Sequence, residues 1–572
     1  MTNALTGGSD SPRLRRGMVL AWAVVLVFAL FLAPLALDVP LLDPDEGLHA
    51  AIAQEMVERG DIVTPSLLGT PFFDKPILFF WAQALSLRLF GMHEAAIRIV
   101  GLAFGLLGAL TTGTLTGRIF GREAGWLAAA CYATLILPLA IAQAAVHDVA
   151  LVPWVTLALL ALWEACRART TSSAARHSAA AGLWLGLAML TKGLVGVAIV
   201  GIAIGLWVIA SRRVRPVLLL LGLVALLVAS AIALPWYLAV ERSHPGYLHY
   251  FFVERHLLGY ATETQRHGQR AWWYYIPLLL GGGLPWALAA PFARVGGGSP
   301  EETSRRRDGL RLAWGWLAGG FAFLSLAGSK LVTYLLPLFP AVAILASAAW
   351  TSWLAQGEGR TWRMTFFVAQ ALPCGAMAVL VLATTVLATQ RYALTLPTTT
   401  WIVMGLLAAA WIALPLTWRH RPGRLMAGML VLTAGTLLLT LGLLLRPVSA
   451  SLTARELAGV LNRSARFPSQ LWVLDARVGS LVFYLSPAHR ARLGAERIRS
   501  VGLDTLLRMR QPPPDTLVAV SGASLARLRR RVDLAHTPFT PAGQYRLYTA
   551  DALHEAFLAR TSPPSSRRSE TW

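Results

Sequence analysis

The chain has 572 residues, 56% hydrophobic and 14% charged, with 21 tryptophans, which is too apolar for a soluble enzyme and reads as a membrane protein of many spans. Its net charge of +22 therefore concerns orientation in a bilayer rather than nucleic acid, because basic residues beside spans face the cytoplasm. Cys131, Cys166 and Cys374 all lie in or beside apolar stretches, so no disulfide framework is expected.

Arg13, Arg15 and Arg16, in a cytoplasmic segment 1–17, precede an apolar run over about 18–38. That run is longer than a signal-peptide core and lacks a small-residue cleavage pattern, so it is expected to remain as the first span. Further apolar stretches follow near 95–117, 123–143, 148–166, 177–191, 194–211, 216–238, 273–293, 310–327, 331–352, 364–388, 399–418 and 425–445, which makes thirteen spans. With the N-terminus inside, the inner connections carry 21 arginines, whereas the short outer ones hold only Lys192, Lys330 and Arg391. The C-terminus is thereby assigned to the outside.

Two outer connections, 39–94 and 239–272, are too long to be simple linkers. The first is expected to hold two short helices, Pro44 to Arg59 ending at Gly60 and Pro76 to Phe90 ending at Gly91, each opened by proline. The second contains Tyr247 to Tyr260, apolar and aromatic enough for a helix lying in the membrane interface. From 446 to 561 the pattern changes to a small α/β domain, with strands at Leu471–Leu474, Thr516–Val520 and Tyr545–Thr549 and helices at Ala454–Leu461 and Leu503–Met509; 562–572 is a polar tail. The predicted class is a mainly α polytopic membrane domain, 18–445, followed by this α/β domain outside the membrane.

The candidate chemistry gathers in the outer segments. In Asp43-Pro44-Asp45-Glu46, Asp43 suits an N-cap and Glu46 the return partner of a capping box, which leaves Asp45 either functional or a solvated helix-start charge. Phe73-Asp74-Lys75-Pro76 places an ammonium beside the free N–H groups of a helix start, a corner suited to phosphate; the alternative is a surface contact between Asp74 and Lys75. Asp148 stands at the outer end of the fourth span, as a cap or as a functional carboxylate.

Lysine itself is informative: Lys75, Lys192 and Lys330 are the only three among 51 basic residues. All three fall on the outer side, where a compact ammonium would grip an anion in a space too narrow for guanidinium, although snorkelling to the interface also explains Lys192 and Lys330. His256 is two residues from Glu254, so these cannot chelate together. A divalent metal there would need His256 with a carboxylate such as Asp74. No Gly-rich nucleotide loop occurs in a strand–turn–helix context, and charges near the outer ends of spans suit an outward-facing enzyme better than an alternating-access carrier.

These motifs, with Gln54-Glu55-Met56, Gly60-Asp61, Thr191-Lys192-Gly193, Pro235-Trp236-Tyr237, Tyr250 to His256, Trp273-Tyr274-Tyr275, Leu284-Pro285-Trp286 and Ser329-Lys330 to Thr333-Tyr334, together resemble the bacterial aminoarabinose lipid A transferases. Those are polyprenyl-phosphate-sugar glycosyltransferases of the GT-C type, akin to protein O-mannosyltransferases. The resemblance covers about 18–350 and implies an inverting enzyme of the bacterial inner membrane. It would move a sugar, 4-amino-4-deoxy-L-arabinose in the namesake family, from undecaprenyl phosphate to lipid A, a glycan or a protein in the periplasm. It assigns Asp45, Glu46 and Asp148 to the catalytic set, and Lys75, Lys192, Lys330 and Tyr334 to the donor and its phosphate. Asp74 and His256 then match divalent-metal positions. Two departures stand out: Asp74 replaces a glutamate, and Gly47-Leu48-His49 replaces a small residue followed by arginine and tyrosine. A flippase of lipid-linked sugars would need the same phosphate grips but no base, and a non-catalytic scaffold whose outer domain binds polysaccharide is a third reading.

Overall fold

The computed structural model of the protein describes residues 37–213, 216–259, 270–355, 359–464, 467–476, 479–492, 497–509 and 512–561. Two compact units result, one of Met1–Asp38 with Phe73–Leu445, the other of Val39–Phe72 with Arg446–Trp572. The first expected span lies outside the described residues but for Leu37 and Asp38, and so does the tail 562–572.

Helices occupy most of the later expected spans in the larger unit. Among the described residues, seven helices are individually long and apolar enough to cross a membrane, from Glu94–Phe120 to Pro422–Ser449, and an eighth crossing is formed if Arg122–Ala133 and Ile136–Ala142, bent by 65°, count as one. The expected spans over 177–191, 194–211 and 310–327 are the helices Thr171–Lys192, Val195–Ala210 and Pro300–Leu326. Over 273–293 the chain instead breaks into Trp272–Tyr274, Tyr275–Gly282 and Ala287–Phe292. The glycines at 281–283 and Pro285 explain this, since neither residue type sustains a helix interior.

Packing in this unit follows membrane rules. Gly113 and Gly125 face one another so closely that a Cβ on either would lie 2.9 or 2.7 Å from the other's carbonyl oxygen, the close approach that small residues permit between spans. Trp286, Trp350 and Phe366 form an aromatic core, and the Trp286 indole donates to Thr134 Oγ1 at 2.9 Å. At the arginine-rich end, buried Asp308 meets Arg213 at 2.7 Å, Arg311 at 3.2 Å and Arg167 at 3.5 Å, tying three segments together.

The second unit is discontinuous in sequence. Its sheet runs β4 (Ile498–Val501), β3 (Gln470–Leu474), β5 (Thr516–Ser521), β7 (Tyr545–Thr549), β6 (Thr540–Ala542), with β3 parallel to both β4 and β5 and the remaining pairs antiparallel; β1 (Ser66–Leu67) and β2 (Thr70–Pro71) form a separate hairpin. The Asp45–Arg59 helix packs on the Gly479–Tyr484 helix, where a Cβ on Gly47 would stand 2.3 Å from Ser480 N and one on Gly479 2.2 Å from Leu48 N. Leu41 N–H donates to the Tyr484 hydroxyl at 2.8 Å, and Arg490 pairs with Glu58. Val39–Phe72 and Arg446–Trp572 thus belong to one folded body although the whole of Phe73–Leu445 lies between them in sequence.

This close packing overrides the expected capping box. The Asp45–Arg59 helix begins one residue later than expected and has no side-chain cap. The Asp43 carboxylate turns instead to Ser480, accepting from its backbone N–H at 2.9 Å and from its hydroxyl. Glu46 accepts from Leu42 N–H at 2.8 Å. The helix does end as expected, with Gly60 in the left-handed region at φ 69°.

Candidate active site

Within the larger unit, four segments bring their polar side chains together. Asp148 is the first residue of the Asp148–Arg167 helix and Lys192 the last of Thr171–Lys192, so each charge complements its helix dipole. The two form a buried ion pair. The Thr333 hydroxyl also stabilises the Asp148 carboxylate, and the Lys192 ammonium lies 3.9 Å from the centre of the Tyr334 ring. Asp148 makes no side-chain cap of its own helix; its carboxylate is spent on Lys192 and Thr333.

The loop carrying Asp74 and Lys75 is held by aromatic packing of Phe73 against His244 at 5.3 Å, Tyr247 at 5.0 Å and Tyr250 at 6.5 Å between ring centroids. The following helix starts at Leu78 rather than Pro76, so Lys75 acts from a loop and not from a helix N-terminus. Its ammonium makes no hydrogen bond or ion pair among the described residues, yet its charge is felt at Asp148, Lys192 and His256. Lys330 is different. It is buried and donates to the carbonyls of Ala327 at 2.6 Å and Arg270 at 3.4 Å, which fixes the turn before Val332.

His256 belongs to a π-helix, His249–Leu258, in the segment expected to lie in the interface; Leu257 and Leu258 are exposed there, as a lipid-facing surface requires. Burial holds its imidazole below the ordinary value, with Lys75 and Arg255 acting in the same direction and the carbonyls of Phe251 and Lys192 opposing. Nδ1 is 2.7 Å from Phe251 O, and Nε2 is 3.4 Å from Lys192 O. The ring rests on Gly193, whose φ is +69° and whose added Cβ would lie 2.3 Å from Nε2.

The arrangement does not fit a divalent metal between Asp74 and His256. Asp74 Oδ1 already accepts from the Tyr250 hydroxyl at 2.8 Å and pairs with Arg255 at 2.9 Å. No group of three His, Cys, Asp or Glu side chains converges among the described residues, and two donors with one already neutralised make a poor cation site. Asp74 and His256 are therefore read here as residues that seat the π-helix.

Asp45 and Glu46 belong to the other unit. Glu46 is buried and committed to Leu42, whereas Asp45 is exposed and has no hydrogen bond or ion pair among the described residues. Arg255, Gly193 and Thr333 lie within the motifs that carry the resemblance, but none had a role assigned there. The glycine directly after a buried lysine was the one available signal.

A family profile described as dolichyl-phosphate-mannose-protein mannosyltransferase matches residues 74–236, a range that includes Asp74, Lys75, Asp148 and Lys192. The chain is 34% identical over 345 residues to an undecaprenyl phosphate-alpha-4-amino-4-deoxy-L-arabinose arabinosyl transferase of Aeromonas salmonicida (strain A449), covering 60% of this chain and 62% of that one. It is 36% identical over 328 residues to the protein of the same name from Shewanella sediminis (strain HAW-EB3), covering 57% and 59%. The chain thus spans about three fifths of the length of these curated relatives. The crystal structure of ArnT from Cupriavidus metallidurans bound to undecaprenyl phosphate superposes with a TM-score of 0.71 at 21% identity, covering 93% of this chain and 97% of that one; its apo state gives 0.67 at 22%, covering 93% and 98%. The chain shares that polytopic fold.

Proposed function

We propose that this chain is a glycosyltransferase that takes a sugar from undecaprenyl phosphate at the outer face of the bacterial inner membrane, as the names of its relatives suggest. The observation that carries the reading is the uncompensated Lys75 ammonium beside the Asp148–Lys192 pair. A phosphate leaving group accumulates negative charge where water is scarce, and a fixed cation with no partner of its own stabilises it there. Lys192 has N–H groups beyond the one given to Asp148, so it can add a second donor without leaving a charge unbalanced. The arginine asymmetry supports thirteen spans, a cytoplasmic N-terminus and a periplasmic Arg446–Trp572 segment, and a single body built from Val39–Phe72 and Arg446–Trp572 fits an even number of crossings between them.

The sugar in this reading is 4-amino-4-deoxy-L-arabinose and the acceptor lipid A. Asp45 is assigned from the resemblance: it is the base for a hydroxyl acceptor, or the partner of the sugar's amino group when the acceptor is a phosphate already anionic. The test is transfer from purified undecaprenyl-phosphate sugar to lipid extract in detergent across pH, with Asp45→Asn alongside. A hydroxyl acceptor predicts a loss on the order of 100-fold with partial recovery at high pH, and a phosphate acceptor predicts no recovery. Wild-type protein that binds the donor and never releases undecaprenyl phosphate would refute the enzyme and favour a flippase.

A further inference from the structure

At the arginine-rich end of the larger unit, away from the lysine cluster, a cavity of about 350 Å³ opens between the Glu94–Phe120 and Arg122–Ala133 helices, lined by Leu110, Gly113, Thr114, Gly117, Gly125, Trp126, Ala129 and the two arginines Arg118 and Arg122. Both arginines are exposed, and neither makes a hydrogen bond or ion pair among the described residues. This contrasts with their neighbours on the same side: Arg167, Arg213 and Arg311 all turn to Asp308, and Arg305 donates to Ile119 O at 3.1 Å. Glu123, the acid of this turn, is not part of the lining. The groove floor is apolar, formed where glycines let the two helices meet closely, while its mouth holds two guanidiniums without ion-pair partners at the level where the helices end.

We propose that this groove binds one anionic membrane phospholipid of the inner leaflet, its phosphate held by Arg118 and Arg122 and an acyl chain lying over Gly113 and Gly117 against Leu110 and Trp126. Guanidinium offers a planar fork to phosphate, and a basic pocket between spans on the cytoplasmic side matches lipid headgroups in charge and depth. An apolar channel this close to the charges favours a lipid over a free anion. Neither half of the site takes part in the proposed transfer.

The test uses delipidated full-length protein in detergent, titrated by native mass spectrometry with phosphatidylglycerol, phosphatidylethanolamine, undecaprenyl phosphate or inorganic phosphate. One phosphatidylglycerol is expected to bind in preference to phosphatidylethanolamine, with Arg118→Gln/Arg122→Gln weakening it about tenfold or more. As a measurement needing no variant, phosphatidylglycerol with a photoreactive acyl chain is expected to label wild-type peptides within 110–129. Labelling elsewhere, equal binding of both phospholipids, or wild-type affinity in the double variant overturns the proposal. Displacement by inorganic phosphate would reduce the groove to an anion site, and displacement by undecaprenyl phosphate would assign it to the donor lipid; either result also overturns it.

Discussion

Lys192, the last residue of one helix, is ion-paired with Asp148, the first residue of another, and the two charges cancel where they are 8% and 4% exposed. This relationship separates the lysines by role. Lys192 is a neutralised, fixed donor, and the uncompensated charge belongs to Lys75.

Replacing Lys75 is therefore expected to have the larger electrostatic effect on donor binding. Lys75→Ala should lower transfer on the order of 100-fold at normal expression, and Lys75→Arg should restore little because the guanidinium fork is wider than the ammonium. Steady-state transfer from undecaprenyl-phosphate sugar checks both, and full activity in the arginine variant would show that charge alone matters.

The Asp148–Lys192 pair is open to a double-mutant cycle. Lys192→Met leaves a carboxylate buried without its cation and should cost roughly 3–5 kcal/mol, as should Asp148→Asn to a smaller extent. The double variant is expected to regain most of that stability and none of the transfer activity. Thermal unfolding in detergent, measured beside activity, separates the two roles.

Asp74 faces Arg255 and Tyr250, so its removal should act through the π-helix. Transfer is expected to survive EDTA within about twofold, whereas Asp74→Ala should increase hydrogen exchange over His249–Leu258 and raise KM more than it lowers kcat. Loss of activity in EDTA, restored by one added divalent cation, would overturn this reading.

In the second unit, burial pushes the Asp43 carboxyl up to about 6 from 3.8, its hydrogen bonds from Ser480 only partly opposing. A carboxyl whose folded value is raised favours folding while protonated, so its contribution is complete below about pH 4 and is lost as pH rises through 6. Two units correspond to about 3 kcal/mol. Hydrogen exchange in Gly479–Tyr484, corrected for intrinsic rates, should show protection falling from pH 4 to 7 in wild type and a flat profile in Asp43→Asn.

Much of this was legible in the sequence because it obeys local or topological rules. The scarcity of lysine singled out Lys75, Lys192 and Lys330 alike, of which the structure pairs Lys192 with Asp148 and ties Lys330 to the carbonyls of Ala327 and Arg270. The Asp45–Arg59 helix was legible from its glycine stop. What escaped depends on distant partners. Asp43 was read as a cap because Ser480, its actual partner, is 437 residues away in sequence. Arg255 carried no signal until Asp74 was seen beside it. Edge strands β4 and β6 were missed because Arg499, Ser500 and Pro541 interrupt the apolar alternation that marks a strand.

The discontinuous second unit has a consequence for how the protein is made. Val39–Phe72 leaves the ribosome about 370 residues before Arg446 does, which at typical rates of synthesis is a delay of roughly 20 to 75 seconds. During that interval Gly47 and Leu48 have no Gly479 or Ser480 to close on, and the apolar face of the Asp45–Arg59 helix stands exposed. Maturation of this segment must wait for Arg446–Trp572 to be made, so a nascent protein stalled before residue 446 offers proteases and chaperones a target that the finished protein hides.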